Sequence, residues 1–166
     1  MVNADLQIDK QYILQLLTAV CDPEIPVVTI EEMGILRDVN VNNEFCEVII
    51  TPTYSGCPAM GIIEADILEV LKKNKIKNPT VKLVYSPAWT TDFITEATKE
   101  KLRKFGIAAP LHSSCMNWSR PSDINVECPN CNSKNTKLIS QFGSTACKAL
   151  YSCNDCKEPF DYFKCH

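Results

Sequence analysis

Apolar positions recur along this chain with two different periods. Ile13, Leu16, Leu17 and Val20 fall on one face at helical spacing, which predicts a helix over residues 10–20. Asp9 is placed to cap it, with Ile8 and Ile13 as a hydrophobic staple across the cap. Pro23 and Pro26 force that helix to stop near Asp22. Residues 35–41 and 44–51 are short β-branched runs joined by Asn42-Asn43, a pairing that suits a tight hairpin turn. A second helix is expected after Cys57, with Pro58 in its first turn, where a missing N–H costs nothing. Ile62, Ile63, Ile67, Val70 and Leu71 supply its buried face down to Lys73. Residues 81–85 read as a third strand. Asp92 is placed to cap a third helix that ends at Phe105, with Gly106 as its stop.

Helix, two strands, helix, strand and helix in that order predict an α+β domain over residues 1–108. It is a small α/β sandwich with helices packed on a mixed three- to four-stranded sheet. Residues 109–124 contain Pro110, Pro121 and several serines and read as a connector. Residues 125–166 form a second, smaller module with its own chemistry.

A chain of 166 residues accommodates one compact domain and such a satellite. The hydrophobic fraction of 45% and the charged fraction of 22% are those of an ordinary globular protein. No apolar run is long enough to cross a bilayer, and the N-terminus, with Asp5 and Asp9, lacks the basic-then-apolar pattern of a signal peptide. The expectation is a cytoplasmic protein, in a compartment where thiols stay reduced. Its ten cysteines then read as metal ligands, reactive thiols or small buried hydrophobes rather than as disulfides. A net charge of −3 argues against broad electrostatic binding to nucleic acid, and residues 121–166 are neutral, with five lysines against five acidic residues. Trp118, Arg120, Tyr151 and Phe160 could stack on bases, although aromatic residues in so small a module more often form its core.

The strongest chemical signal is in that module. Cys128-Pro-Asn-Cys131 and Cys153-Asn-Asp-Cys156 each place two thiols across a tight turn, and two such turns give zinc its tetrahedron of sulfurs. Short strands around residues 137–140 and 149–151 fill the gap between the pairs. About forty residues bury too little apolar surface to fold unaided, so the metal is expected to be structural. Four thiolates also leave no open coordination position. Cys147, Cys165 and His166 remain over, either as packing groups or as part of a second site; their spacing decides neither.

Cys57 stands apart, at the expected start of the second helix. Unpaired backbone N–H groups and the positive end of the helix dipole favour a thiolate there, while position alone favours a small buried hydrophobe. Thr51 and Thr53, at a strand end just upstream, could donate hydrogen bonds to the same spot. Asp22 and Glu24 put two carboxylates into a proline-interrupted loop, which becomes chemically interesting if it lies beside Cys57.

These residues also carry a resemblance. Asp22-Pro23-Glu24-Ile25-Pro26 after an initial helix, then Gly34-Ile35, Thr51-Pro52-Thr53 and Cys57-Pro58, resembles the SufT-like metal–sulfur cluster biosynthesis family. The resemblance implies that Asp22, Glu24, Thr51, Thr53 and Cys57 share one pocket, with Cys57 as the reactive or cluster-contacting thiol. Three further segments are similar to the PaaD family: Ile30-Glu31-Glu32-Met33-Gly34-Ile35-Leu36-Arg37, Ser86-Pro87-Ala88-Trp89-Thr90-Thr91-Asp92 and Phe142-Gly143-Ser144-Thr145-Ala146-Cys147-Lys148. So is the closing Glu158-Pro159-Phe160-Asp161-Tyr162-Phe163-Lys164-Cys165, and the likeness covers nearly the whole chain.

That likeness implies an accessory role in phenylacetate breakdown, beside the reductase and oxygenase components of the phenylacetyl-CoA epoxidase system. The role is iron–sulfur cluster assembly or insertion, with the reductase as the expected client. A structural zinc and a transient iron–sulfur cluster or iron on Cys57 are implied, with no catalytic activity of the chain's own. Two other readings stand beside it. One is a structural component of the oxygenase complex. The other is a thiol-transfer enzyme with Cys57 as nucleophile, which needs a base such as His112 or His166, or a resolving Cys46 or Cys115. No nucleic-acid or membrane partner is expected, and an exposed sheet face or edge could support a homodimer.

Overall fold

The computed structural model describes residues 8–42, 44–110 and 126–164. Helix α1 spans Lys10–Leu17 and is capped by the Asp9 side chain, which accepts from the Tyr12 N–H at 2.8 Å. It ends three residues short of the expected Val20, because Thr18 turns its hydroxyl back onto the Gln15 carbonyl. Val20 still reaches the core from the following turn.

The stretch read as a proline-interrupted loop is instead a small antiparallel hairpin, β1 (Cys21–Asp22) and β2 (Ile25–Thr29). Ile25 and Val28 of β2 are buried in the core, and Pro26 lies at an exposed position. A lone pair of short strands tolerates the missing proline donor.

β3 (Leu36–Val41) and β4 (Cys46–Ile50) form the expected antiparallel pair. The Asn42 side chain accepts from the Glu44 and Phe45 N–H groups at their turn, while Asn43 lies outside the described residues. β5 (Pro79–Leu83) runs parallel to β4, so the sheet β3-β4-β5 is mixed. Helix α2 (Met60–Lys73) makes the crossover between β4 and β5 and packs against α1 and β5. Its buried stripe is Met60, Ile63, Ile67 and Leu71. Ile62, expected on that stripe, is 54% exposed, since at about 100° per residue it points a full step away from Ile63.

Asp92 does not cap the third helix. It lies in a 3₁₀ turn, Thr91–Phe93, after which Ile94 extends into the core; Thr95 then caps α3 (Glu96–Lys104) through its side chain. Burying Ile94 wins over continuing the helix. Gly106, with φ of +90°, takes the left-handed turn that stops α3.

The third sheet is the ribbon: β7 (Thr136–Ser140), β8 (Lys148–Cys153) and β9 (Pro159–Phe163) in antiparallel sequence. β9 was not foreseen from sequence. β6 (Ile107–Ala108) pairs in parallel with β9, so residues expected to end the first domain join the second module's sheet. Phe163 and Cys147 are buried in the same apolar cluster as Ile13, Ile50 and Ile67, and Phe163 meets the Trp89 ring edge-on at 5.9 Å. Arg103 of α3 adds a hydrogen bond to the Pro129 carbonyl. The ribbon is therefore packed onto the sandwich through shared core. Among the described residues, no helix is long and apolar enough to cross a membrane.

Candidate functional site

The Sγ atoms of Cys128, Cys131, Cys153 and Cys156 all lie within 4.8 Å of one another. Cys128 and Cys156 are 3.7 Å apart, and Cys131 and Cys153 3.5 Å. A tetrahedron with zinc–sulfur bonds of about 2.3 Å has sulfur–sulfur edges of about 3.8 Å, so the donor set fits zinc. The N–H groups of Cys156 and Asp155 point at Cys153 Sγ, at 3.4 Å each, and favour its thiolate. That makes the ligating thiolate easier to form. Ser133 and Asn135 both bond the Asp155 carboxylate and tie the two knuckles together. Beneath them Tyr151, Phe160 and Tyr162 are buried as the ribbon's own core. Tyr151 and Phe160 are thus no stacking surface, while Trp118 and Arg120 lie outside the described residues.

A second chemical centre lies where the hairpin β1–β2, the start of α2 and the ribbon meet. Asp22 is 7% exposed, and its Oδ1 accepts from the Glu24 and Ile25 N–H groups at 2.8 and 3.1 Å. Burial nevertheless holds its carboxyl above the usual range. The side chain thus fixes the turn that presents Glu24.

Cys57 precedes α2 by three residues rather than opening it. Pro58 and Ala59 form a turn ahead of the helix, whose N-cap, Ala59, carries no side-chain cap bond. Helix-end chemistry is not the largest influence on this thiol. Burial comes first and raises the thiol above its ordinary value, Glu24 and Asp22 add to that, and the backbone N–H groups of Ala59 and Met60 only partly offset it. Cys57 therefore rests as a half-buried, protonated thiol. Thr51 and Thr53 are both buried, and Thr51 Oγ1 is the buried side-chain polar atom without a hydrogen-bond partner among the described residues.

Sequence reasoning left Cys147 undecided. The structure places it against the carboxylate loop: its thiol donates to Glu24 Oε2 at 3.6 Å and lies 3.0 Å from Thr145 Oγ1. Burial pushes it up to about 11. Lys148, 3% exposed, sends its ammonium to the Glu24 carbonyl at 3.5 Å and to Ser144 Oγ at 3.1 Å. Tyr54, whose carbonyl accepts from the Cys57 N–H at 3.1 Å, has its phenol held above the ordinary range, first by burial and then by its neighbours Cys57, Cys147 and Glu24. Cys46 is buried within β4, and His112, Cys115, Cys165 and His166 lie outside the described residues.

Comparison with known proteins bears on both centres. Residues 10–83 match the iron–sulfur cluster assembly protein family, and residues 115–164 match the PaaD zinc beta ribbon domain. Over 150 residues, 90% of this chain and 89% of the relative, the sequence is 49% identical to an Escherichia coli protein described as one of the subunits of 1,2-phenylacetyl-CoA epoxidase. It is 35% identical over 82 residues, 48% of this chain and 92% of the relative, to the Fe-S protein maturation auxiliary factor SufT of Staphylococcus aureus. A crystal structure of a domain of unknown function, DUF59, from Bacillus anthracis superposes with a TM-score of 0.53 at 30% identity. It covers 56% of this chain and 90% of that one.

Proposed function

Because this chain belongs to the PaaD family, we propose that it is a cytoplasmic accessory protein of a phenylacetyl-CoA epoxidase system that assists iron–sulfur cluster assembly on the reductase component. Cys57 is the thiol that contacts the cargo, and Asp22, Glu24, Thr51 and Thr53 shape its surroundings.

The observation that carries this reading is the placement of Cys57 under the charges of Asp22 and Glu24, in a domain matched along its length by maturation factors. A raised thiol is a poor nucleophile at neutral pH, which disfavours thiol transfer. It remains a good ligand for soft iron, which displaces the proton on binding. The backbone N–H groups of Ala59 and Met60 favour the thiolate and support it once it forms. The ribbon's four-thiolate site serves to fold its module.

The test is anaerobic transfer to purified apo-reductase, with ferrous iron and sulfide supplied and cluster formation followed by visible absorption. The wild-type chain is expected to accelerate loading, and Cys57→Ser, with its zinc retained, is expected to lose that effect. Equal acceleration by both proteins contradicts the role given to Cys57.

A further inference from the structure

β5 is an outer strand of the mixed sheet, with β4 on one side and, among the described residues, no strand on the other. The Val84 N–H donates to the Ile50 carbonyl of β4 at 2.9 Å. Backbone groups alternate from there: those of Lys82 face β4, and those of Val81 and Leu83 turn outward. Pro79, with no N–H to pair, falls on the same outward side, where an edge strand tolerates it. Such an edge is a template for one more strand.

The side chains around it are of one charge. Residues 71–91 hold five lysines, Lys72, Lys73, Lys75, Lys77 and Lys82, and no acidic residue, in a chain of net charge −3. All five are exposed. Lys73 pairs with Glu69, and the other four have no ion pair among the described residues. Lys72 and Lys73 suit the C-terminal end of the α2 dipole, but Lys77 and Lys82 lie beyond its reach. Lysine on an edge also wards off stray strands. That guard has no use for exposed apolar side chains, yet Leu83 is 40% exposed and Tyr85, just past the strand, 58%.

We propose that the outer edge of β5 docks an extended acidic segment of a partner protein, which adds to the sheet as a fourth strand. Its carboxylates lie toward Lys75, Lys77 and Lys82, and its apolar side chains toward Leu83 and Tyr85. Backbone hydrogen bonds to Val81 and Leu83 hold the segment, and the lysines select its charge. A second copy of this chain fits less well, since it brings the same five lysines to the same edge. A nucleic-acid phosphate accepts from lysine and N–H groups but has no donor for the outward carbonyls. The edge owes nothing to Cys57, so its test and that of the cargo thiol are independent.

The experiment uses the zinc-loaded full chain and fluorescent peptides of about eight residues in which valine alternates with glutamate, glutamine or lysine. Binding is followed by fluorescence anisotropy at low ionic strength. The glutamate peptide is expected to bind at least about tenfold more tightly than the glutamine peptide, and the lysine peptide not at all. Lys75→Glu combined with Lys82→Glu should weaken the glutamate peptide by at least about tenfold and leave zinc content unchanged. N-methylation of alternate amides of that peptide should abolish binding in one phase and spare it in the other, a control that needs no change to the protein. Amide exchange at Val81 and Leu83 should slow with the peptide bound, while Lys82, which faces β4, stays as it was. Binding that ignores N-methylation and leaves Val81 and Leu83 unprotected is charge attraction alone and overturns the proposal. Equal affinity for the three peptides, or none for the glutamate peptide, also overturns it. So does an oligothymidylate that displaces the peptide and binds more tightly, or a free chain that sediments as a dimer with Val81 and Leu83 already protected.

Discussion

Cys147 Sγ and Glu24 Oε2 lie 3.6 Å apart although 123 residues separate them in the chain. The contact joins the ribbon to the turn that carries the two carboxylates. It makes the state of one module legible in the other.

Gly143 gives the most local test of that link. A Cβ at this position would stand 2.3 Å from Asp161 Oδ1 and 3.2 Å from the Ala149 backbone carbon. Gly143→Ala therefore pushes Asp161 off Ser144 and displaces the loop that presents Cys147. The expected outcome is unchanged zinc content, a loss of about 1–3 kcal/mol of stability by denaturant unfolding, and faster alkylation of the otherwise buried Cys147.

Asp22 separates geometry from charge. Its Oδ1 accepts two backbone N–H groups, a task an amide oxygen also performs, while burial disfavours its negative charge. A carboxyl whose folded pKa is raised binds its proton more tightly folded than unfolded, so its ionisation costs stability as pH rises through that value. Asp22→Asn is expected to leave stability at pH 7 unchanged or slightly higher. Asp22→Ala, which orphans the Glu24 and Ile25 N–H groups, is expected to cost about 1–3 kcal/mol. Paired urea curves check the two variants.

Cys57 has a reactivity signature. Burial and the neighbouring carboxylates hold its thiol above the ordinary value, so the thiolate is scarce at neutral pH. Alkylation of Cys57 by iodoacetamide, followed by peptide mass spectrometry, should be slower at pH 7 than for an unstructured cysteine, and its rate should still be rising beyond pH 9. A plateau near pH 7 would restore the thiol-transfer reading.

Zinc removal probes how far the modules depend on one another. Trp89 packs edge-on against Phe163, and β6 pairs with β9, so unfolding the ribbon strips cover from the sandwich. In a Trp118→Phe background, chelation of the zinc should red-shift Trp89 emission and expose Cys147 to alkylation, while much of the far-ultraviolet helical signal persists. Retention of the native Trp89 spectrum in zinc-free protein would show that the ribbon holds its place without the metal.

Much of this architecture was legible because it rests on local rules. Two CxxC pairs announce a tetrahedral thiolate site, Asp9 announces a helix start, and Gly106 a helix stop. The failures share a cause: tertiary burial outweighed a local signal. Ile94 entered the core and left the cap to Thr95, and Pro23 and Pro26 concealed a hairpin whose buried apolar positions are Ile25 and Val28. Helix-end chemistry alone favoured a Cys57 thiolate, and only the folded chain sets burial and two carboxylates against it. Cys147 carried no readable signal, since a lone cysteine in a loop shows neither its depth nor a partner as distant as Glu24.

The central claim is tested most directly in cells that make the epoxidase system with Cys57→Ser in place of the wild-type chain. The measurement is iron and acid-labile sulfide per chain of the purified reductase. The account predicts depleted iron and sulfide in the variant background, restoration by the wild-type gene, and normal zinc in the variant protein. A fully loaded reductase alongside a zinc-replete Cys57→Ser chain would contradict it.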